Sequence, residues 1–228
     1  EGGVEVDVIR EDQAVRYRAA QLIVAIGAFE QAFPVPGWTL PGFMTTGAAQ
    51  TLGRAYRVAP GSKVLIAGNG PLNLQVACEL ARGGVEVLAV AEAAPAPGPA
   101  RLGAILEAFR RSPDLMAQGL SYLAALRRLG VPVLYGHVLA RAEGAERVER
   151  ATLARLDKAG RAVGERAYQV DAVCTGYGFL PSTEITRLLG CRHRFDDRGP
   201  GAMAVERDGD GATSRPGVFA VGDCGGIG

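Results

Sequence analysis

The sequence has few of the residues that build metal and disulfide sites. Its four cysteines include no Cys-x-x-Cys pair, which excludes within this chain a dithiol redox motif and the usual cysteine runs that bind zinc or iron–sulfur clusters. Only two histidines, His137 and His193, are present, so we predict no metal site. Cys78 and Cys174 fall in apolar segments that predict a helix and a strand, and we expect both to be inert core residues.

Net charge and long apolar runs are also scarce. Lys and Arg total 25 against 24 Asp and Glu, and a net charge of +1 argues against a nucleic-acid footprint or an electrostatic membrane partner. No apolar run is long enough to cross a bilayer, and no charged-then-apolar N-terminus indicates a signal peptide. With 48% hydrophobic residues, the chain can bury a sizeable core as one large or two small domains. We therefore expect a cytoplasmic protein with no nucleic-acid partner and no membrane span.

The sequence does contain one complete strand–turn–helix–strand pattern, over residues 63–92. Its first strand is predicted by an uninterrupted apolar run, 64–67, which is typical of a parallel strand covered on both faces. Gly68 and Gly70 follow, and glycine lets the backbone turn sharply and leaves no Cβ between the main chain and a ligand. Pro71 then suits the first position of a helix.

The helix is predicted to end at Gly83-Gly84, and a second apolar run leads to Glu92. This is the order of a dinucleotide-binding unit, in which the helix N-terminus binds a pyrophosphate and the acid accepts hydrogen bonds from the adenosine ribose. Glu92 favours NAD over NADP because a carboxylate repels a 2′-phosphate. Asn73 replaces the third glycine of the fingerprint, so we expect the helix to lie further from the strand. Two interpretations stay open here: a working NAD(P) site, and the same fold without a ligand.

The rest of the chain predicts further elements around this unit, together with a proline- and glycine-rich connector over 33–42 and a loop over 93–100. Strands are predicted over residues 4–10, 14–19, 21–27, 131–135, 138–143, 148–156 and 167–174. Helices are predicted over residues 46–54, 102–109, 120–126 and 182–189, the last with Ser182 as its N-cap. Strands that alternate with helices predict an α/β fold, a Rossmann-like three-layer nucleotide-binding domain with a parallel sheet and an antiparallel β-meander.

Three stretches together resemble the flavoproteins with two dinucleotide-binding domains, the pyridine nucleotide-disulfide oxidoreductase superfamily. The unit over 63–92 resembles their inserted NAD(P) domain. Segment 22–27 resembles the point at which the chain leaves the FAD domain, with Ile26 in place of the usual threonine. Segment 217–223 resembles the second FAD motif, whose aspartate, here Asp223, hydrogen-bonds the ribityl chain or pyrophosphate region of FAD.

This resemblance implies FAD as a cofactor and assigns binding residues to it. The residues implied for FAD are Gly27, Gly222 and Asp223, and those for the nicotinamide dinucleotide are Gly68, Gly70, Pro71 and Glu92. No residue can be assigned as a catalytic acid or base. Tyr177, His193 and Cys224 are candidates by residue type only, and we expect each to be structural.

Segments 33–42, 174–182 and 189–193 narrow the resemblance to the FAD-containing α subunits of opine oxidase, D-hydroxyproline dehydrogenase and hydrogen cyanide synthase. The resemblance implies an FAD-dependent oxidoreductase that acts on a C–N bond of an amino or imino acid, a small-molecule substrate, together with a partner oxidoreductase subunit. Two alternatives stay open. One is an NAD(P)H-dependent flavoprotein reductase, and the other is a degenerate, non-catalytic scaffold that docks a partner subunit.

Two features of the family are missing from the sequence. The first FAD fingerprint has no counterpart upstream of Val4, and the iron–sulfur cysteines near the family's C-terminus are absent. We therefore expect an internal fragment that is inactive alone. Its predicted organisation is a partial FAD-domain segment and connector over 1–58, an NAD(P)-binding-like domain over 59–176 and a C-terminal FAD-domain segment over 177–228.

Overall fold

The computed structural model describes residues 3–99, 102–197 and 201–227, which pack as two compact units. The first unit comprises the described residues within 1–30 and 179–228, and the second comprises those within 31–178. The assignment of FAD and NAD(P) domains with boundaries at 58/59 and 176/177 stays a prediction. In the described ranges, no helix combines the length and apolar character that a membrane crossing needs.

The elements are numbered in chain order. The strands are β1 (Val4–Arg10), β2 (Gln13–Ala19), β3 (Leu22–Val24), β4 (Ala28–Glu30), β5 (Phe43–Thr45), β6 (Lys63–Gly68), β7 (Glu86–Glu92), β8 (Val133–Tyr135), β9 (His137–Glu143), β10 (Arg150–Leu156), β11 (Ala162–Gln169), β12 (Ala172–Gly176), β13 (Phe179–Pro181), β14 (His193–Asp196), β15 (Ala202–Val205) and β16 (Val218–Ala220). The α-helices are α1 (Thr46–Thr51), α2 (Pro71–Arg82), α3 (Leu102–Arg111), α4 (Pro113–Arg128) and α5 (Glu184–Leu188). A π-helical turn, Leu52–Tyr56, continues α1, and a 3₁₀ turn, Gly222–Gly225, follows β16.

A five-stranded parallel sheet forms the centre of the second unit, in the order β5-β12-β6-β7-β8. The chain proceeds from β6 to β7 and β8 on one side, whereas β12 and β5 lie on the other side. The strand order therefore reverses between β6 and β12. A reversal of this kind opens a crevice at the carboxyl ends of the strands, where α/β proteins bind their ligands.

Strand β6 is buried on both faces, which explains its uninterrupted apolar run. Val64 and Ile66 pack in one hydrophobic cluster with residues of α1, α2 and α4. Leu65 and Ala67 point to the opposite face, where they pack with residues of the antiparallel meander formed by β9, β10 and β11. Because successive side chains of a strand alternate between faces, one apolar run serves two layers. The predicted three-layer α/β fold with an antiparallel meander is confirmed.

The first unit is built from pairs of strands. β1 and β2 form a hairpin, β14 pairs with β15, and β3 pairs in parallel with β16. β4 pairs with β13 in antiparallel fashion, so that Glu30 and Phe179 are register partners. In the second unit, the Gln31 N–H donates a hydrogen bond to the Gly178 carbonyl (2.9 Å), so the two ends of this unit also meet.

The predicted strand over 167–174 is wrong. β11 ends at Gln169 and β12 begins at Ala172. Between them, the Asp171 carboxylate accepts hydrogen bonds from the N–H groups of Ser62 and Lys63 (3.0 and 2.8 Å), at the start of β6. Asp171 thus attaches the chain to the beginning of a different strand, which separates the meander from the parallel sheet.

Three smaller predictions are corrected at element ends. The helix expected over 46–54 is α-helical only to Thr51 and then becomes the π-helical turn, which Arg57 ends with φ +56°. The strand expected over 21–27 ends at Val24, because its parallel partner β16 is only three residues long. Ser182 is not the N-cap of α5. That position belongs to Thr183, whose side chain makes no capping hydrogen bond, while the Ser182 N–H donates to the Gly27 carbonyl.

Candidate functional site

The turn between β6 and α2 has the backbone of a phosphate-binding turn. Gly70 adopts φ +109°, a conformation that favours glycine, and a Cβ at this residue would have no heavy atom within 4 Å. The space above the turn is therefore open to a ligand. Gly68 faces its register partner Gly176 across the point where the strand order reverses. A Cβ on Gly68 would overlap the Gly176 carbonyl oxygen, so only glycine fits there.

The turn offers a ligand fewer N–H groups than a helix N-terminus usually does. The Gly70 N–H donates to Glu92 Oε2 (3.2 Å), and the Asn69 N–H donates to the Gly176 carbonyl (2.8 Å). Pro71, at the first helical position, has no N–H. The next two N–H groups of α2 remain for a phosphate. An anion placed here would still lie at the positive end of the helix dipole.

Asn73 is almost fully buried, with 1% exposure, and its side chain is satisfied at both ends. Asn73 Oδ1 accepts a hydrogen bond from the Thr46 hydroxyl (2.8 Å), and Asn73 Nδ2 donates to the Gly176 carbonyl (2.9 Å). A Cβ on Gly176 would overlap Asn73 Oδ1, and a Cβ on Gly68 would crowd Nδ2. From the sequence we expected a more distant helix to accommodate Asn73. In the structure, the room for its side chain comes from the missing Cβ atoms of these two glycines, and Asn73 connects α1, α2 and β12.

Glu92 lies at the carboxyl end of β7, where it is the register partner of Gly68. Its carboxyl group is buried and accepts hydrogen bonds from the N–H groups of Gly70 and Ala94 (3.2 and 3.3 Å). Burial raises the pKa of Glu92 above its usual value, and the two backbone hydrogen bonds oppose this rise only in part. A carboxylate in this position can accept hydrogen bonds from ribose hydroxyls, as the sequence predicts.

Two tyrosines share the surroundings of Glu92. Burial, together with the negative charge of Glu92, raises the pKa of both Tyr135 and Tyr177. The Tyr177 hydroxyl accepts a hydrogen bond from the Leu139 N–H (3.2 Å), and its ring lies 4.7 Å from the ring of Phe33, centroid to centroid. These contacts agree with the structural role expected for Tyr177.

The residues implied for FAD come together in the first unit. Because β3 and β16 are parallel, the segments that follow them lie at the same edge, and the Val221 N–H donates to the Val24 carbonyl (3.0 Å). Gly27 and Gly222 both adopt positive φ, +71° and +69°. Asp223 lies in the first turn of the 3₁₀ turn with its side chain exposed, so its carboxylate is accessible to a ligand.

The other candidates by residue type make internal contacts. His193 Nε2 lies 2.9 Å from the Thr186 hydroxyl, and the buried Cys224 thiol donates to the Val24 carbonyl (3.2 Å). All four cysteines are buried and unpaired with one another, as expected for Cys78 and Cys174. In the described part of the chain, no cluster of three or more His, Cys, Asp or Glu residues could hold a metal ion.

The second unit thus places Gly68, Gly70, Pro71 and Glu92 at the carboxyl edge of a parallel sheet, where the strand order reverses. This combination defines an α/β nucleotide-binding protein of the Rossmann type. The chain belongs to the pyridine nucleotide-disulphide oxidoreductase family, whose family model matches residues 3–227. The family resemblance found in the sequence is therefore confirmed.

Individual relatives agree with this assignment. The HcnB subunit of hydrogen cyanide synthase from Pseudomonas protegens is 35% identical over 95% of this chain and 46% of its own length. A subunit of opine oxidase from Agrobacterium tumefaciens is 34% identical over 90% of this chain and 39% of its own length. The crystal structure of a FAD-dependent pyridine nucleotide-disulphide oxidoreductase from Desulfovibrio vulgaris is similar with a TM-score of 0.64 and 27% identity, over 97% of this chain and 50% of that one. The chain spans less than half the length of the two curated relatives.

Proposed function

We propose that this chain is part of an FAD-dependent oxidoreductase that oxidises a C–N bond of an amino or imino acid and acts with a partner subunit. The observation that carries the proposal is the identity of about one third, over nearly the whole chain, with HcnB and the opine oxidase subunit. Both relatives are named as subunits, which supports a partner subunit for this protein. We also propose a cytoplasmic location, which cell fractionation would test.

In this proposal, FAD binds through Gly27, Gly222 and Asp223. When bound, the flavin supplies the redox chemistry. The Asp223 carboxylate would accept hydrogen bonds from hydroxyl groups of the cofactor, and the two glycines would let the main chain approach it closely. The exposure of Asp223 and the shared edge of β3 and β16 support these roles.

The nicotinamide site would be weak in the same proposal. Its residues would be Gly68, Gly70, Pro71 and Glu92, and the open space above Gly70 fits a pyrophosphate. However, Glu92 already engages the Gly70 N–H, and Pro71 contributes no donor. Reduced phosphate binding supports a flavin that takes its electrons from the amino or imino acid rather than from NADH.

An NAD(P)H-dependent flavoprotein reductase is the second candidate. The observation in its favour is the position of Glu92 beside Gly68, where an acid that binds ribose is expected. A non-catalytic scaffold is the third candidate, favoured by the buried Asn73 in place of the third glycine.

The test uses the full-length protein that contains this chain. Its visible absorption spectrum would be recorded anaerobically, before and after addition of NADH and, separately, of a panel of amino acids, imino acids and opines. We expect a flavin band that is bleached by a member of the panel and not by NADH. Bleaching by NADH alone would support the reductase, and a spectrum without a flavin band would overturn both enzyme proposals.

A further inference from the structure

A second concave site lies at the end of α2 opposite to the glycine turn. It is a cavity of about 640 Å³ between α1, the π-helical turn and the second half of α2. Small-molecule sites commonly measure about 300 to 1,000 Å³. Its floor includes Ala49, Val76 and Leu80, which are buried members of the main hydrophobic cluster of the second unit. The cavity therefore reaches an apolar surface that can hold the body of a small ligand.

The only carboxylate that lines this cavity among the described residues is Glu79, and it is already paired. Arg54 contacts it with two hydrogen bonds (2.9 and 2.5 Å), and the side-chain amides of Gln50 and Gln75 also donate to it. Burial works against ionisation of Glu79, but the hydrogen bonds from Arg54 and Gln75 outweigh it and lower its pKa. The charge of Glu79 is therefore balanced by Arg54.

Two further arginines at the rim are left without such a balance. Arg57 and Arg82 line the cavity, are exposed, and have no carboxylate partner among the described residues. The cavity thus combines an apolar floor with two guanidinium groups available to an anion. Arginine is well suited to this role because its planar group binds carboxylates with two parallel hydrogen bonds.

The backbone that presents Arg57 is unusual. The π-helical turn Leu52–Tyr56 adds a wide turn to α1, and Arg57 ends it in the left-handed conformation, with φ +56°. The Val58 N–H donates to the Leu52 carbonyl (3.0 Å) and closes the turn. π-Helical turns occur frequently at functional sites, and a residue other than glycine rarely adopts positive φ.

We propose that this cavity binds a small organic anion with an apolar body, whose carboxylate lies between Arg57 and Arg82. The site is separate from the nucleotide turn, because α2 is 12 residues long and its ends are about 18 Å apart. Its occupation is therefore independent of the flavin and nicotinamide proposals.

The test measures binding of octanoate to the chain by isothermal titration calorimetry, with octan-1-ol as the uncharged counterpart. A Cβ on Gly53, which lines the cavity, meets no heavy atom within 4 Å, so Gly53→Leu places a side chain in the cavity without a backbone clash. Gly119→Leu in α4 is the matched control, since its Cβ is equally free and it does not line the cavity. Far-UV circular dichroism of each variant establishes that it is folded.

We expect saturable binding of one octanoate, weaker binding of octan-1-ol, loss of binding in Gly53→Leu and unchanged binding in Gly119→Leu. The double variant Arg57→Gln/Arg82→Gln should weaken octanoate binding about tenfold, since each exposed charged contact contributes a factor of about 2 to 5. Arg127→Gln/Arg128→Gln, which removes two exposed charges from the end of α4, should leave binding unchanged. This arm does not depend on the folding of Gly53→Leu.

Three results would overturn the proposal. The first is the absence of saturable octanoate binding at millimolar concentration. The second is an equal loss of affinity in the cavity variants and their matched controls. The third is displacement of octanoate by NADH, which would move the binding site to the glycine turn.

Discussion

The buried hydrogen-bond network of Asn73 makes a prediction that can be measured without any ligand. Replacing Asn73 by alanine removes the acceptor of the Thr46 hydroxyl, which is itself 0% exposed. A buried hydroxyl without a partner costs about 1–3 kcal/mol, and loss of the hydrogen bond to Gly176 adds about 1 kcal/mol. The Gly176 carbonyl keeps its bond from the Asn69 N–H and adds no further cost. Alanine regains about 0.5 kcal/mol through its higher helix propensity, so the free energy of unfolding should fall by about 2–3 kcal/mol.

The assay is urea unfolding followed by tryptophan fluorescence. The protein has one tryptophan, Trp38, and it lies in the same compact unit as Asn73. Linear extrapolation of the transition gives the free energy of unfolding in water. Asn69→Ala is the matched control, because it makes the same chemical change at an exposed residue of the same turn. Its free energy of unfolding should stay within about 0.5 kcal/mol of the unmodified protein.

A double-mutant cycle tests the hydrogen bond itself. Thr46→Val removes the donor and leaves Asn73 Oδ1 unpaired, whereas the double variant removes both partners together. The two single losses should therefore exceed the loss in the double variant by about 1 kcal/mol. If Asn73→Ala cost no more than Asn69→Ala, or if the two changes were additive, Asn73 would not connect α1 to α2 as described.

Three further predictions follow from the site. Because burial raises the pKa of Glu92, the stability that its protonated form contributes is complete below the usual value of 4.5 and is lost as the pH rises through the raised value; Glu92→Gln should remove this slope from urea unfolding measured over a pH series. Gly70→Ala should lower the free energy of unfolding by about 1–2 kcal/mol because φ is +109°, whereas Gly119→Ala, inside α4, should raise it by about 0.5–1 kcal/mol in the same assay. In the full-length protein, Asp223→Ala should raise the Kd of FAD about tenfold or more through loss of charged hydrogen bonds, measured by flavin fluorescence, while Asp210→Ala, also exposed in the first unit, should not change it.

The nucleotide-binding unit could be predicted from the sequence because its signals are local. The apolar run of β6, the two glycines and Pro71 lie within a few residues of one another, and each acts on its own backbone. The Asn73 network gave no such signal. Its partners Thr46 and Gly176 lie 27 and 103 positions away and become neighbours only when α1 and β12 pack against α2.

The wrong strand over 167–174 has the same kind of cause. Its composition is continuous with strand structure apart from Asp171, and a single acid in a strand is not a strong break signal. The break arises because Asp171 bonds to Ser62 and Lys63, more than 100 positions earlier in the chain. A tertiary hydrogen bond, rather than local propensity, therefore decides where β11 ends.

The meeting of the two ends of the second unit has a consequence for how the chain can change. Glu30 and Phe179 face each other in the pair formed by β4 and β13, and Gln31 is bonded to Gly178. A two-residue turn in place of residues 31–178 would convert this pair into an ordinary hairpin. The nucleotide-binding unit is thus an insertion that could be removed, or exchanged for another, without a new path for the surrounding chain. One binding function can be lost or replaced in evolution while the other keeps its framework.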